Sequence, residues 1–477
     1  MAALDAIADP THLADRCDRE LDRRAGPLNR YWDYYRGEAH VLYATIKFRE
    51  AFGQLLNEIA DNWCSVVIDS AVERLRVTGY RFGKDETADD DAWQIWQSSQ
   101  MDADQVQAHE EASVTGLCYL LVEPPDETDT GLPRISPLSP LEAVTVNDPA
   151  NRRRRIAGYR RFVNEFGIPE ARLYLPDRAI VLMQNPDQRP ASSGDLGDDH
   201  VEYGNWEVVG DIANPAGVVP MVEMVNKEHL GRGGESDLAP ILSKQDMINK
   251  FLVDAVVNSE FSAYFQRWAT GIELETDTRG HAVPPERLMA GVASLFVSEN
   301  DGARFGAFPA SDGKTFVALI EMLVQHIAAQ TRTPPHYLTA GLGQWPSADS
   351  LRASEEGLVQ KCRRKILGFG ESHEESMRIS FLMLGDRERG TAYQLETIWA
   401  EPQRVSLAQI TDAAVKARQS LDVPRLATWR MIGASPQEIE EWEEELEEER
   451  AAEPPEPVAP ASPPPTAAPP GATVPAS

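Results

Sequence analysis

The strongest constraint on this chain's fold is a run of helical spacing too long for an ordinary small core. From Ser236 onward, Leu238, Ile241, Leu242, Met247, Ile248, Phe251, Leu252, Ala255, Val256, Phe261 and Phe265 recur at helical intervals. A helix of about 28 residues at 1.5 Å per residue would be roughly 42 Å long, which predicts a strut or an intersubunit bundle. Ser236 or Asp237 can accept from its first free backbone donors, and Pro240 falls in the first turn, where its missing N–H does no harm. A second helix is predicted over Lys314–Thr331, closed by Thr333-Pro334-Pro335 because a residue before proline avoids the helical region. A third, of about 35 residues, should run from Ser347 to Leu384, with bends at Gly357, Gly368 and Gly370. Between the first two, residues 269–312 read as a loop-rich insertion with short strands, notably Val292–Val297.

Ahead of the first long helix the texture is mixed. Residues 1–60 read as helices interrupted at Gly26-Pro27, with rings and charges interleaved from Tyr31 to Glu38 as on an amphipathic helix that docks its aromatics. Asn62–Leu75 is helical, Arg76–Phe82 alternates like a strand, and Asp91–Ala112 is a single helix that Gly116 ends before the apolar strand Leu117–Val122. From 132 to 225, strands are expected at 143–146, 156–163, 171–175, 179–183, 206–209 and 218–225. Near the C-terminus, Tyr393–Trp399 is strand-like and Leu407–Glu449 helical. This is an α+β chain.

The C-terminal end is acidic, with 11 Glu between 438 and 456 and a single Arg450. Residues 451–477 hold 10 prolines and too little apolar surface to offset ordering, so they read as disordered. Of the formal net charge of −30, about −20 remains without that end, so acidity belongs to the body too. Such a balance excludes a sequence-specific DNA reader, which needs a basic surface to displace counterions from phosphates. A wall past which DNA slides is not excluded. No apolar run approaches the roughly 18 residues of a membrane helix, and Met1–Asp5 lacks a signal-peptide opening, so a soluble, intracellular product is expected. Cys17, Cys64, Cys118 and Cys362 form no C-x-x-C pair and read as reduced, packed thiols.

Motifs for chemistry are weak. Gly306 and Gly313-Lys314-Thr315 resemble a phosphate-binding loop, but six residues separate the glycines where the motif needs four. The histidines, His109, His229, His326, His336 and His373 among them, are scattered, and His373-Glu374-Glu375 lacks a second zinc-spaced histidine. No catalytic residue, metal or cofactor is predicted. Arg152-Arg153-Arg154-Arg155 leaves a turn and enters a strand; it reads as a solvated hairpin or as a contact to an acidic neighbouring subunit. The loop Gly341-Leu342-Gly343-Gln344-Trp345-Pro346 carries one large ring, and both an inward-packed Trp345 and a moving, anchored loop remain open.

Taken in order, Tyr31-Trp32-Asp33-Tyr34-Tyr35-Arg36-Gly37, Asn62-Trp63 through Glu73-Arg74-Leu75, Gly79, Trp96 and Gly116 resemble portal proteins of long-tailed bacteriophages, particularly those infecting actinobacteria. The series continues through Pro220, Asn226, Gly234-Glu235-Ser236-Asp237, Gln245–Lys250, Thr333–Leu338 and Pro346-Ser347, and covers the chain to about residue 450. The resemblance implies the portal fold: a mixed α/β wing (1–235 and, with a long helix, 347–405), a two-helix stem (236–266 and 314–338), a small β-containing clip (267–313) and a helical crown (406–450). It also implies a tunnel loop at 339–346, with Gly341, Leu342, Gly343, Gln344, Trp345 and Ser347 facing DNA, and Lys244 and Lys250 as stem-channel residues. Partners implied are further copies in a ring of twelve, double-stranded DNA passing non-specifically, the terminase large subunit, a head-tail adaptor, and the major capsid and scaffolding proteins. The location implied is the virion, with assembly in host cytoplasm. Different classes stay open: a phosphate-loop nucleic-acid enzyme of the packaging apparatus, or a generic capsid or scaffold component.

Overall fold

The computed structural model describes residues 9–38, 60–83, 88–126, 128, 130–184, 203–231, 233–263, 267–271, 302, 304–307, 313–338, 348–403, 407–432, 439, 442–443 and 445–446. The chain divides into two units, 1–402 and 403–477.

Helix α1 (Pro10–Arg36) opens where the Asp9 carboxylate accepts from the Thr11 and His12 amides. It passes unbroken through Gly26-Pro27, contrary to the expected interruption. Pro27 forfeits one donor, to the carbonyl of Arg23, on a turn whose Arg23 side chain is 73% exposed, so water can take that carbonyl instead. Asn62 caps α2 (Trp63–Val72), which leads into β1 (Val77–Phe82). The single helix expected over 91–112 is two, α3 (Asp90–Ser98) and α4 (Met101–Thr115). Gln100 breaks them with φ +58°, and Asp102 accepts from both Trp96 Nε1 (3.0 Å) and Gln97 Nε2 (2.9 Å), which ties the end of α3 to the first turn of α4.

Gly116 ends α4 at φ +95°, and a side chain there would meet the backbone of Gly234 and Glu235 at 3.1 Å. The strands that follow are β2 (Leu117–Glu123), β3 (Arg134–Leu138), β4 (Ala143–Asp148), β5 (Asn151–Val163), β6 (Pro169–Tyr174), β7 (Arg178–Gln184), β8 (Trp206–Ala213) and β9 (Met221–Val225). They form two antiparallel sheets, ordered β3-β2-β9 and β4-β5-β6-β7-β8. Strand β3 is not among the expected ones. It carries Pro137, which an edge strand tolerates because one row of its donors has no ladder partner.

Helix α5 (Leu242–Ala263) precedes a ribbon of β10 (Arg267–Thr270) and β11 (Arg304–Ala307). Then come α6 (Lys314–Thr331), α7 (Pro335–Leu338), α8 (Ala348–Met383), α9 (Arg387–Gly390) and β12 (Leu395–Trp399), which pairs antiparallel with β1. Helix α6 has the predicted bounds, and α8 differs by one residue at each end. The helix runs on through Gly357, Gly368 and Gly370. The second unit contains α10 (Leu407–Leu421) and α11 (Arg425–Met431). No described helix is long and apolar enough to cross a membrane.

The largest core joins α3, α4, β1, β2, β12 and α8 around Trp96, Tyr80, Phe369 and Phe381. A second core joins the end of α1 to α2, α5, α6 and α7, and a third packs the start of α1 on the five-stranded sheet. All four cysteines are buried free thiols, and burial pushes Cys17 and Cys64 up to about 12. In the largest core, His109 of α4 and His373 of α8, remote in sequence, bring their Nε2 atoms to 3.0 Å. One donates and the other accepts. His109 stacks on Phe369 and His373 meets Trp96 edge-on, so neither ring has water near it. Burial drives His373 down to about 3, and burial together with its partner drives His109 well below the imidazole range.

Both histidines therefore fold neutral. A depressed folded pKa contributes stability that is complete above about pH 6.5 and is lost as pH falls towards the folded value. Between pH 7.5 and pH 5.0, His373 alone should cost the wild-type protein about 2 kcal/mol that the His373→Gln variant does not lose. Urea unfolding of both proteins at the two pH values tests this; an equal pH dependence would contradict it.

Candidate functional site

The segment linking β9 to α5 holds the most unusual electrostatics in the molecule. Asn226 donates its amide to the Gly116 carbonyl (3.0 Å) and its side-chain amide to the Glu235 carbonyl (2.8 Å). Asp237 donates its own amide to the Ser113 carbonyl (3.0 Å), and the segment is thereby laid over the end of α4. The Asp237 carboxylate then meets three ammonium groups: Lys227 at 2.9 Å, Lys361 at 3.0 Å and Lys365 at 3.1 Å. Lys361 and Lys365 are one helical turn apart on the same face of α8. Lys365 also donates to Asn226 Oδ1 (2.6 Å) and Ser113 Oγ (2.9 Å). Asp237 is 1% exposed.

Burial opposes the Asp237 charge, but Lys361, Lys365 and Lys227 outweigh it and hold the carboxyl well below the usual range. Burial pulls Lys365 down to about 8 against the pull of Asp237. This use of Asp237 accounts for the helix start: α5 begins at Leu242 and not at Ser236, because the Asp237 side chain is committed to the lysines. Ser236 accepts instead from the Leu238 amide, and Pro240 sits in the turn before the helix.

The rest of α5 docks through polar groups. Asp246 accepts from the Tyr34 hydroxyl (2.7 Å), Gln245 bridges the Trp63 amide and the Asp61 carbonyl, and Asn249 accepts from the Asp61 amide. Among the predicted stem-channel residues, Lys244 reaches the Pro240 carbonyl (3.0 Å) and Lys250 is paired with Asp254 (2.7 Å).

The four arginines lie at the start of β5. Arg152 pairs with Glu228 (2.9 Å), Arg154 approaches Asp148 (3.9 Å), Arg155 is bound tightly by Glu375 of α8, and Arg153 is exposed. With the C-terminal end of α6 and the face of α8, Arg152, Arg153 and Arg155 line a cleft of about 1160 Å³, whose wall carries nine Lys and Arg against five Asp and Glu. The structure thus brings Arg152, Arg153 and Arg155 beside the Asp237 lysines and leaves Lys244 and Lys250 outside that cleft.

The predicted tunnel loop, Gly341, Leu342, Gly343, Gln344, Trp345 and Ser347, lies outside the described residues. Its two feet are tied together. Tyr337, ahead of it, donates its hydroxyl to Glu355 beyond it (3.2 Å), and buried Arg74 donates to Tyr337 (2.6 Å) and pairs with Glu355 (3.3 Å). Most of the predicted clip also lies outside the described residues. Among those described, no group of three His, Cys, Asp or Glu could hold a metal ion. Sequence reasoning missed Asp237, Lys361 and Lys365 as a set because their spacing spans the whole stem region.

Comparison with known proteins agrees on one family. The family described as "Phage portal protein, SPP1 Gp6-like" matches residues 14–452. The chain is 26% identical over 461 residues to a "Portal protein" of Mycobacterium phage L5, covering 93% of this chain and 90% of that one. It is likewise 26% identical to a "Portal protein" of Mycobacterium phage D29, over 92% and 90%. A solved structure described as "Neck of native GTA particle computed with C12 symmetry" is similar at 12% identity and a TM-score of 0.42, covering 81% of this chain and 92% of that chain.

Replacing Asp237 by Asn should leave buried Lys361 and Lys365 and half-buried Lys227 without their counter-charge and destabilise the protein by about 3 to 5 kcal/mol. Adding Lys365→Met to Asp237→Asn should recover part of the loss. Urea denaturation of the three proteins reads both effects, and a change under about 0.5 kcal/mol for Asp237→Asn would rule out the electrostatic role.

Proposed function

Because this chain belongs to the phage portal protein family, SPP1 Gp6-like, we propose that its copies close into a ring, of twelve subunits, at one vertex of the capsid. DNA passes through that ring during packaging and again on ejection. The observation that carries this reading is the family match over nearly the whole chain, residues 14–452. In this assignment residues 1–235 and 347–405 form the wing, 236–266 and 314–338 the stem, 267–313 the clip and 406–450 the crown. The virion is the working location, with assembly in the host cytoplasm. The ring docks the terminase large subunit, later holds a head-tail adaptor, and meets the capsid and scaffolding proteins.

In this proposal the motor hydrolyses ATP and the ring serves as a passive conduit. A net charge of −30 keeps contacts to phosphate weak, so the duplex slides without being gripped. The pairing of Lys250 with Asp254 fits that role, because a neutralised cation offers phosphate little. The tie between Tyr337 and Glu355 fixes the two flanks of Gly341 to Ser347, which supports reading that segment as the DNA-facing tunnel loop. Against a phosphate-binding enzyme, Gly306 is paired with Trp268 inside the β10-β11 ribbon, whereas a phosphate loop needs its first glycine free to turn.

Negative-stain microscopy of purified protein should show rings with a central hole; monomers or sheets would count against the portal assignment. Wild type and Lys314→Ala should be equally inactive towards ATP, and hydrolysis by the wild type alone would favour the enzyme.

A further inference from the structure

The cleft between β5, the end of α6 and α8 is built to receive a partner. Arg153, Arg332 and Arg364 line it, are exposed, and have no carboxylate partner among the described residues. The lysines around Asp237 deepen the positive field, since one carboxylate faces three ammonium groups there. On the same wall stand two exposed large side chains, Leu367 and Tyr393, at 75% and 87% exposure. Apolar surface of that kind beside unpaired arginines suits a polypeptide with carboxylates better than a sugar-phosphate backbone.

The same chain supplies the complement. Between Lys84 and Arg134 there are 13 Asp and Glu and no Lys or Arg at all. Within that stretch Asp90, Asp91, Asp102 and Asp126 are exposed. Copies that each carry −30 repel one another at long range, so a stable contact must place opposite charges together locally. A closed ring further requires a heterologous contact, in which two different patches of each copy complement each other. Lattices of like patches would form two-fold dimers instead.

We propose that the basic cleft is the receiving half of the subunit contact and takes the acidic surface within residues 88–126 of a second copy. The proposal rests on the ring reading and identifies which surfaces meet. It gives Arg153 the intersubunit role, while Arg152, Arg154 and Arg155 stay occupied by Glu228, Asp148 and Glu375 within their own copy.

Arg364→Lys puts a primary amine on the cleft wall without changing its charge. Rings assembled from an equal mixture of isotopically labelled and unlabelled Arg364→Lys protein would be treated with a carbodiimide, which joins an amine to a carboxylate with loss of water. Cross-linked peptides should pair position 364 with carboxylates within 88–126, and half of them should join a labelled to an unlabelled copy. Cross-links to other segments, cross-links confined to one copy, or none at all in intact rings would overturn the proposal. In parallel, Arg332→Glu/Arg364→Glu should lower the ring fraction about tenfold relative to Arg16→Glu, the same kind of charge reversal outside the cleft. If the double variant assembles like wild type but retains less DNA, the cleft belongs to nucleic acid and the proposal fails. Absence of rings in the wild type would instead defeat the portal reading itself.

Discussion

The fold turns on one buried carboxylate. Asp237 draws Lys227, Lys361 and Lys365 to within about 3 Å and fastens the segment between β9 and α5 onto the long helix α8. A charge so deep is tolerated only when opposite charges and hydrogen bonds surround it, and removing one member leaves the others uncompensated. Through Ser113 and Asn226 the same cluster holds the end of α4 and the end of β9. Three structural layers thus share one electrostatic joint: the helices packed on the three-stranded sheet, the sheet itself, and the segment that leads into α5. The direction in which α5 departs is set there.

That joint also explains why some of the molecule could be read from the chain and some could not. Helix α6 is bounded by local chemistry, with Thr333-Pro334-Pro335 just past its end, and its limits follow from the residues themselves. The antiparallel strands from β4 to β8 announce themselves by turns and alternation, although β5 and β8 extend further than their apolar centres because a ladder continues where side chains are polar. By contrast, α5 starts six residues beyond the Ser236 that local capping rules favour, because the cap-forming residue type, Asp237, serves distant partners. Pro27 signals a break by local propensity, which does not see that its turn is exposed. The His109 and His373 pair has no local signature at all, since 264 residues separate two side chains that touch. Local rules fix element types; long-range pairing decides which polar residues are buried and why.

For the function, family membership and geometry bear on different scales. The match over residues 14–452 identifies the kind of machine. The structure adds how its parts are braced: a polar docking face on α5, a tie from Tyr337 to Glu355 between the residues that flank 339–346, and a basic cleft in an acidic chain.

The central claim, that the Asp237 cluster is the joint on which the fold depends, is tested most directly by native-state hydrogen exchange. The amides of Glu235 and Asp237, bonded to Asn226 and Ser113, should exchange only as slowly as the core amides of α8, by the same global opening. Exchange of those two amides at the rate of an exposed loop, while α8 stays protected, would show that the segment opens on its own and would contradict the account.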